Sequence, residues 1–368
     1  MLRAIRLSHF RSHRSLSLEG DGRPVALCGP NGAGKTNILE AISMLSPGRG
    51  LRRAAAENLI RRPEAIGWKI TALIETGGDA HEIVTAVTAP GERRTVEIDG
   101  KSAPQSALGA LAPMLWLTPA MDRLWAEGPG ERRRFLDRIT LNFDPGHGER
   151  TLAYERAMRE RNRLLVDRAP DPGWLTALEA QMAAAGAAIA RARAEAVARL
   201  SAVQHGAEGV FPRAILSLEG VAEAGFLQAL SAGTPPDELA AEVALAEALA
   251  RGRRADAAAG RTLAGPHRSD LVAVHEAKGV EAKLASTGEQ KALLIALILA
   301  TTRALAAERG APPLLLLDEI AAHLDDTRRA ALYDEIVAIG ADVWMTGTGP
   351  ELFDALGPRG RLVTLGET

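Results

Sequence analysis

An α/β fold built on parallel strands and split by a helical insert is predicted by three stretches of this 368-residue chain. The first is Gly29-Pro30-Asn31-Gly32-Ala33-Gly34-Lys35-Thr36, a glycine-rich turn between an apolar run and a helical pattern. The second is Leu314-Leu315-Leu316-Leu317 followed by Asp318-Glu319, an apolar run that ends in two carboxylates. The third lies between them, where residues from about 129 to 254 become rich in Ala, Arg and Glu and read as helix.

Pro24-Val25-Ala26-Leu27-Cys28 is short and apolar, as a strand buried on both faces requires. Gly29, Gly32 and Gly34 allow a tight turn whose successive N–H groups face phosphate oxygens, with Pro30, Asn31 and Ala33 completing the cradle. Lys35 offers a cation to the β- and γ-phosphates, and Thr36 offers a hydroxyl to Mg²⁺. Ile38, Leu39, Ile42 and Leu45 recur at helical spacing, so the loop opens a helix whose N-terminus favours phosphate. ATP and Mg²⁺ are the cofactors this pattern implies.

Residues 1–120 alternate strand-like and helical stretches, with strands at 68–75, 81–88 and 95–98 forming an antiparallel flank. In the insert, 155–165 and 175–200 read as helices, with Gly/Pro punctuation at 144–148 and 169–173. Pro235-Pro236 breaks one helix before another begins at 237–251. The late strand Leu314–Leu317 follows Pro312-Pro313 and delivers Asp318 and Glu319 to the sheet edge where open α/β folds bind ligands. Asp318 would hold Mg²⁺ directly or through water, and Glu319 is placed to polarise an attacking water.

Ser286-Thr287-Gly288-Glu289 precedes a long apolar helix and supports two compatible readings. One is a capping box, with Glu289 three residues after Ser286. The other is a second anion site, in which the Ser286 hydroxyl and the Gly288 N–H meet a γ-phosphate. Such an element suggests an ATPase that closes around nucleotide as a pair of subunits.

A hydrophobic content of 46% with 24% charged residues is that of an ordinary soluble protein, long enough for two domains. The single cysteine, Cys28, excludes an intrachain disulfide and is expected to pack rather than react. Arg3, Arg6 and Arg11 interrupt any secretory apolar segment, and the longest apolar run, 292–300, is short of a membrane span. A cytoplasmic protein with no membrane partner is expected. Net charge is −2, yet residues 1–62 carry eleven Lys/Arg against four Asp/Glu. Arg49, Arg52, Arg53, Arg61 and Arg62 form either a DNA-backbone patch or a solvated face. With 4% aromatic residues, stacking on single strands is poorly supported, and duplex or junction DNA fits better. His267-Arg268 reads as a sensing loop or as a turn with satisfied side chains. Arg132–Arg134 reads as a solvated helix face or a phosphate contact.

Further residues carry a resemblance: His9-Phe10-Arg11, Gly48-Arg49 with Arg52, Leu117-Thr118-Pro119 ahead of Gly128-Pro129, and Glu131 through Asp137. Arg161-Asn162 with Leu164-Leu165 and Gly265-Pro266-His267-Arg268-Ser269-Asp270-Leu271 continue it. With these the chain resembles the ABC-type ATPase heads of chromosome and repair proteins, and more closely the RecF family. The resemblance implies an ABC-type P-loop ATPase head with an inserted helical lever arm. The corresponding divisions are residues 1–122 (head), 123–257 (lever arm) and 258–368 (head). It further implies an ATP-dependent homodimer in which Ser286 and Gly288 cap the partner's nucleotide. Binding of gapped or junction DNA, and RecA loading with RecR and RecO, also belong to the resemblance.

Thr287 and Glu289 depart from the transporter signature, and Thr346-Gly347-Thr348 stands where many relatives carry a switch His. A Thr348 hydroxyl can bond a γ-phosphate but does no acid–base work near neutral pH, so slow hydrolysis is expected, with Glu319 and Lys35 as the catalytic pair. The alternatives are the ATP-binding subunit of a membrane transporter and a small-molecule P-loop kinase. The first requires a Gln loop and switch His that were not found, and the second has no use for the Ser286 loop.

Overall fold

The computed structural model describes residues 1–166, 171–205 and 209–366; residues 169 and 170 of the expected 169–173 punctuation lie outside them. The chain forms two compact units, one made of Met1–Asp122, 209–211 and Leu297 onward, the other of residues 123–205 and 212–296.

The first unit begins with β1 (Leu2–Phe10), β2 (His13–Glu19) and β3 (Val25–Cys28), then helix α1 (Lys35–Ser43). Next come β4 (Trp68–Thr76), β5 (Asp79–Val87), β6 (Thr95–Ile98), β7 (Lys101–Ser102), the short helix α2 (Leu108–Leu111) and β8 (Met114–Leu117). The chain then builds the second unit from α3 (Pro129–Phe143), α4 (His147–Leu165), α5 (Pro172–His205), β9 (Ala214–Glu219), α6 (Val221–Ser231) and α7 (Glu238–Ala259). That unit closes with β10 (Asp270–His275), β11 (Val280–Glu281) and the start of α8 (Thr287–Arg309). The first unit resumes along α8 and adds β12 (Leu314–Leu317), α9 (Asp326–Ile339), β13 (Val343–Gly347) and β14 (Arg361–Thr364).

Two sheets organise the first unit. An antiparallel sheet runs in the order β2-β1-β4-β5-β6-β7, and a parallel one in the order β14-β3-β13-β12-β8. The parallel strands explain their own composition. Every residue of β3, β12 and β13 is buried, so nothing but apolar or hydrogen-bonded side chains fits there. Cys28 is among them, and burial pushes its thiol up to about 11, which keeps it unreactive near neutral pH. The expected apolar stripe is present: Ile38, Leu39 and Ile42 on α1 and Leu45 just beyond its end are fully buried, each contributing about 1.5–3 kcal/mol. Arg94 secures the far end of α1 by donating to the Met44 and Gly48 carbonyls; burial without a carboxylate lowers its pKa to about 10.

The second unit is helical around a three-stranded antiparallel sheet, β11-β10-β9. The sequence reading of 129–254 as helical missed β9, whose residues alternate buried and exposed and pair with β10 from Asp270↔Glu219 to His275↔Ala214. Six residues of period two are too short a signal inside an Ala-rich background. This pairing also draws 258–296 into the helical unit, whereas the sequence division assigns that stretch to the head. Helix α3 reinforces the link, because Arg132 makes a two-pronged ion pair with Asp270 and Arg133 donates to the Ser269 carbonyl. These two arginines are therefore tied down, and only Arg134 fits the solvated face, pairing with Glu131.

Two buried arginines organise the interior of this unit. Arg161, with no exposed surface, donates to Glu179, Thr262 and the Leu249 carbonyl and pairs with Asp256 at 2.7 Å. Arg193 holds Asp137 through two bonds and reaches the Pro266 carbonyl and the Ser269 hydroxyl. His267 is bonded on one ring nitrogen to Tyr154 and on the other to the Thr262 carbonyl. The 265–270 turn thus answers to the reading of satisfied polar side chains, with Arg268 left exposed.

Helix α8 has the length and hydropathy of a membrane span, but 78% of its apolar window is buried in the protein. It is a core helix. Replacing Arg161 with Met strands the Asp256 carboxylate, and a loss of about 3–5 kcal/mol is expected for such a broken buried pair. Urea unfolding followed by circular dichroism checks it: an unchanged midpoint would show that the ion-pair cluster contributes nothing net.

Candidate nucleotide site

Parallel pairing fixes which residues meet. β3 lies between β14 and β13, and β13 lies between β3 and β12, so the carboxyl ends of all these strands share one edge. The glycine-rich loop leaves β3 there, Asp318 leaves β12 there, and Thr346 sits near the end of β13. Gly32 (φ 91°) and Gly34 (φ 83°) occupy the left-handed region. A side chain at Gly34 would land 2.5 Å from the His13 ring, so glycine is required there twice over. At Gly32 the space beside the backbone is open, which leaves a ligand room to approach the N–H groups.

Lys35 opens α1 and is buried, its ammonium donating to the Gly29 and Pro30 carbonyls at 2.6 and 2.8 Å. The same ammonium therefore lies inside the loop's own curve. Thr36 Oγ1 donates to Asp318 Oδ1 at 2.9 Å, and Thr346 Oγ1 donates to the same oxygen at 2.9 Å. Thr346 also accepts the Glu319 N–H at 2.9 Å, so one buried hydroxyl ties together the two acidic residues. Glu319 has φ 54°, ψ 18°, a left-handed conformation that costs a non-glycine residue about 1–3 kcal/mol and is concentrated at functional sites.

Asp318 and Thr36 suit a hard divalent cation. Their oxygens are adjacent, and Mg²⁺ characteristically takes one or two protein ligands and completes its shell with water and phosphate oxygens. Burial raises the Asp318 pKa; hydrogen bonds from Thr346 and Thr36 oppose that, the Glu319 charge adds to it, and Arg52 opposes it.

Beside α1 an open cleft is lined by Arg11, Ser12, Asn37, Asn58, Ile60 and Arg62. Of the basic run, Arg49, Arg52, Arg53 and Arg62 are exposed; Arg52 also bonds Asn37, and the half-buried Arg61 bonds Glu64 and the Ser12 carbonyl.

Ser286 and Gly288 belong to the helical unit and are exposed at the start of α8. The Ser286 N–H and hydroxyl both donate to Glu289, at 2.9 and 2.8 Å, which is the carboxylate half of a capping box. Lys278 pairs with the same carboxylate, and together these groups hold it down to about 2. Thr348 is exposed just beyond β13. The hydroxyl joined to Asp318 and Glu319 is that of Thr346, inside the strand and two residues before Thr348, and local sequence does not single it out. The parallel register was the missing signal.

Residues 1–341 match the RecF/RecN/SMC N-terminal domain. The chain is 48% identical to the DNA replication and repair protein RecF of Rhizobium meliloti (strain 1021), over 99% of this chain and 96% of that one. It is 49% identical to the protein of the same name from Brucella suis biovar 1 (strain 1330), over 96% and 92%. This chain belongs to the RecF family. In fold it is similar to the recombination mediator protein RecF solved with ATP, at a TM-score of 0.78 and 23% identity over 95% of this chain and 93% of that one. An SMC head solved with the ScpA winged-helix domain is more distant, at 0.52 and 17% over 99% and 93%. The ABC-type head expected from the motifs is the fold observed, and RecF membership sets aside the transporter-subunit and small-kinase alternatives.

A cation held by Asp318 would bind its ionised form only, so its affinity would fall on acidification. Because burial raises that pKa, the fall begins at higher pH than for an ordinary carboxylate near 4. Thr346→Val removes a bond that favours the carboxylate and should displace the curve to still higher pH. Mg²⁺-dependent nucleotide titrations across a pH series read this directly; superimposed curves would contradict it.

Proposed function

We propose that this protein is an ATP-dependent DNA-binding protein of recombinational repair, whose two halves of a nucleotide site meet when two copies pair. The observation that carries this is the single sheet edge at which the loop, Lys35, Thr36, Asp318 and Glu319 converge in a RecF-family chain. Residues 29–36 cradle the phosphates through backbone N–H groups and the helix N-terminus. Lys35 neutralises charge on the β- and γ-phosphates, and Thr36 with Asp318 would hold Mg²⁺, which would supply positive charge against the negative charge that develops during transfer. Glu319 orients water, and the cleft beside α1 gives the rest of the nucleotide room.

Ser286 and Gly288 supply the γ-phosphate contacts of the partner copy. Their exposure at a helix N-terminus supports this role: the Gly288 N–H lies in the first turn of α8, and the Ser286 hydroxyl would exchange its bond to Glu289 for one to the partner's phosphate. Thr346 and Thr348 provide no acid–base group near neutral pH, so turnover is slow and ATP acts as a switch for pairing. Exposed Arg49, Arg53 and Arg62 support contact with the backbone of duplex or junction DNA. The solved RecF is described as a mediator in the RecFOR pathway, which supports RecR and RecO as partners and RecA loading at gaps as the outcome.

Light scattering with and without ATP tests the switch. Glu319→Gln should bind ATP and accumulate as the dimer, because hydrolysis no longer separates the copies; a monomer at saturating ATP would refute the pairing. Ser286→Arg should bind ATP with affinity within about twofold of wild type and fail to pair. For the DNA reading, affinity for gapped substrate should drop about tenfold or more between 50 and 200 mM salt. A flat salt dependence would exclude backbone contact by the arginine face.

A further inference from the structure

The residues linking β1 to β2 touch the phosphate loop at three regularly spaced points. Arg11 binds the buried Glu40 carboxylate through two bonds, at 2.8 and 2.9 Å. Ser12 Oγ accepts a hydrogen bond from the Asn37 side-chain amide at 2.9 Å. The Nε2 of His13, a residue only 5% exposed, lies 3.1 Å from the Gly34 carbonyl. Gly34, Asn37 and Glu40 are three residues apart, so three consecutive residues of the hairpin track one face of α1 from the glycine that precedes it. The backbone here is strained, with Arg11 in the turn at φ 53° and His9 near the end of β1 at φ 51°, a conformation held against a cost of about 1–3 kcal/mol per residue.

The His13 contact falls at the junction that matters most. Gly34 is the left-handed residue that ends the loop and opens α1, immediately before Lys35 and Thr36. A carbonyl can only accept, so the His13 ring must donate through Nε2. Burial lowers the His13 pKa, the bond to Gly34 opposes that and the Arg61 charge adds to it, which favours a neutral ring; the acceptor carbonyl then places its proton on Nε2. The same carbonyl accepts the first helical bond, from Ile38. Two donors thus fix the orientation of the peptide plane between Gly34 and Lys35. The ring also occupies the space beside the Gly34 Cα, which prevents the junction from moving toward the antiparallel sheet.

We infer that His13 is a positioning residue for nucleotide binding: its ring N–H holds the Gly34 peptide in the orientation that presents Lys35 and Thr36, without touching the nucleotide. The antiparallel sheet, through the β1–β2 turn, thereby sets the geometry of the phosphate loop. This inference rests on the reading of residues 29–36 as the ATP site.

The test compares Mg²⁺–ATP titrations and steady-state turnover for the wild-type full chain, His13→Leu and His13→Gln. Leu fills the space without a donor, whereas the Gln amide restores an N–H. His13→Leu should weaken ATP binding about tenfold and raise KM by a like factor, with kcat within twofold of wild type. His13→Gln should return most of the affinity. Leu and Gln variants that bind ATP equally well would overturn the inference, because packing alone would then account for His13. Nitrogen-15 spectra of the wild-type imidazole give a reading independent of any variant's folding: Nε2 must carry the proton, and a ring protonated on Nδ1 alone would overturn the inference. Failure of the wild-type chain itself to bind ATP would instead strike the ATP-site reading.

Discussion

The parallel register of β3, β13 and β12 is the constraint on which the proposed chemistry depends. β3 and β12 are not neighbours, since β13 lies between them, and two strand spacings place their axes about 10 Å apart. That gap is wide enough for phosphate groups and too wide for direct contact between the strand ends. Two hydroxyls close it from opposite directions. Thr36 reaches Asp318 from the head of α1, and Thr346 reaches the same carboxylate from the end of β13. A shift of one residue in any of these strands would turn the relevant side chain to the other face of the sheet. Fully buried, apolar strands are what make such a slip costly, so the core and the site are specified by the same residues.

The helical unit depends on a different interaction, the enclosure of guanidinium groups. Arg161 and Arg193 are buried with multiple carboxylate and carbonyl partners, and they join α4 and α5 to α7 and to the 265–270 turn. An Ala-rich helix offers little side-chain volume to distinguish one packing from another. Directional bonds from a planar guanidinium supply that discrimination, although their net contribution to stability is smaller than their number suggests. The turn containing His267 is therefore a structural junction of this unit.

Much of the first unit was legible because its signals are local. A glycine-rich loop between an apolar run and a helical stripe names its own conformation, and Asp318-Glu319 at the end of Leu314–Leu317 names the edge of a sheet. The strand β9 was not legible, because its two-residue period becomes meaningful only when β10 arrives from fifty residues away. The roles of Thr346, Glu40 and His13 were hidden for the same reason. Thr346 and Thr348 look alike in sequence, and only the pairing of β13 with β12 selects the inner one. His13 and Arg11 sit in an exposed-looking polar turn whose contacts lie 21 and 29 residues further on. Local pattern reports what a segment becomes, whereas the choice among neighbouring polar residues is made by tertiary register.

In the proposed function each chain carries two halves of a nucleotide site, and the halves meet only between copies. Mixing two inactive variants tests this most directly. Lys35→Ala disables the phosphate loop and retains Ser286; Ser286→Arg disables the cap and retains the loop. Each alone should lack ATP turnover, and the mixture should recover it, because a mixed pair contains one intact composite site. A mixture as inactive as its components, with both variants folded and Ser286→Arg still binding ATP, would contradict the account.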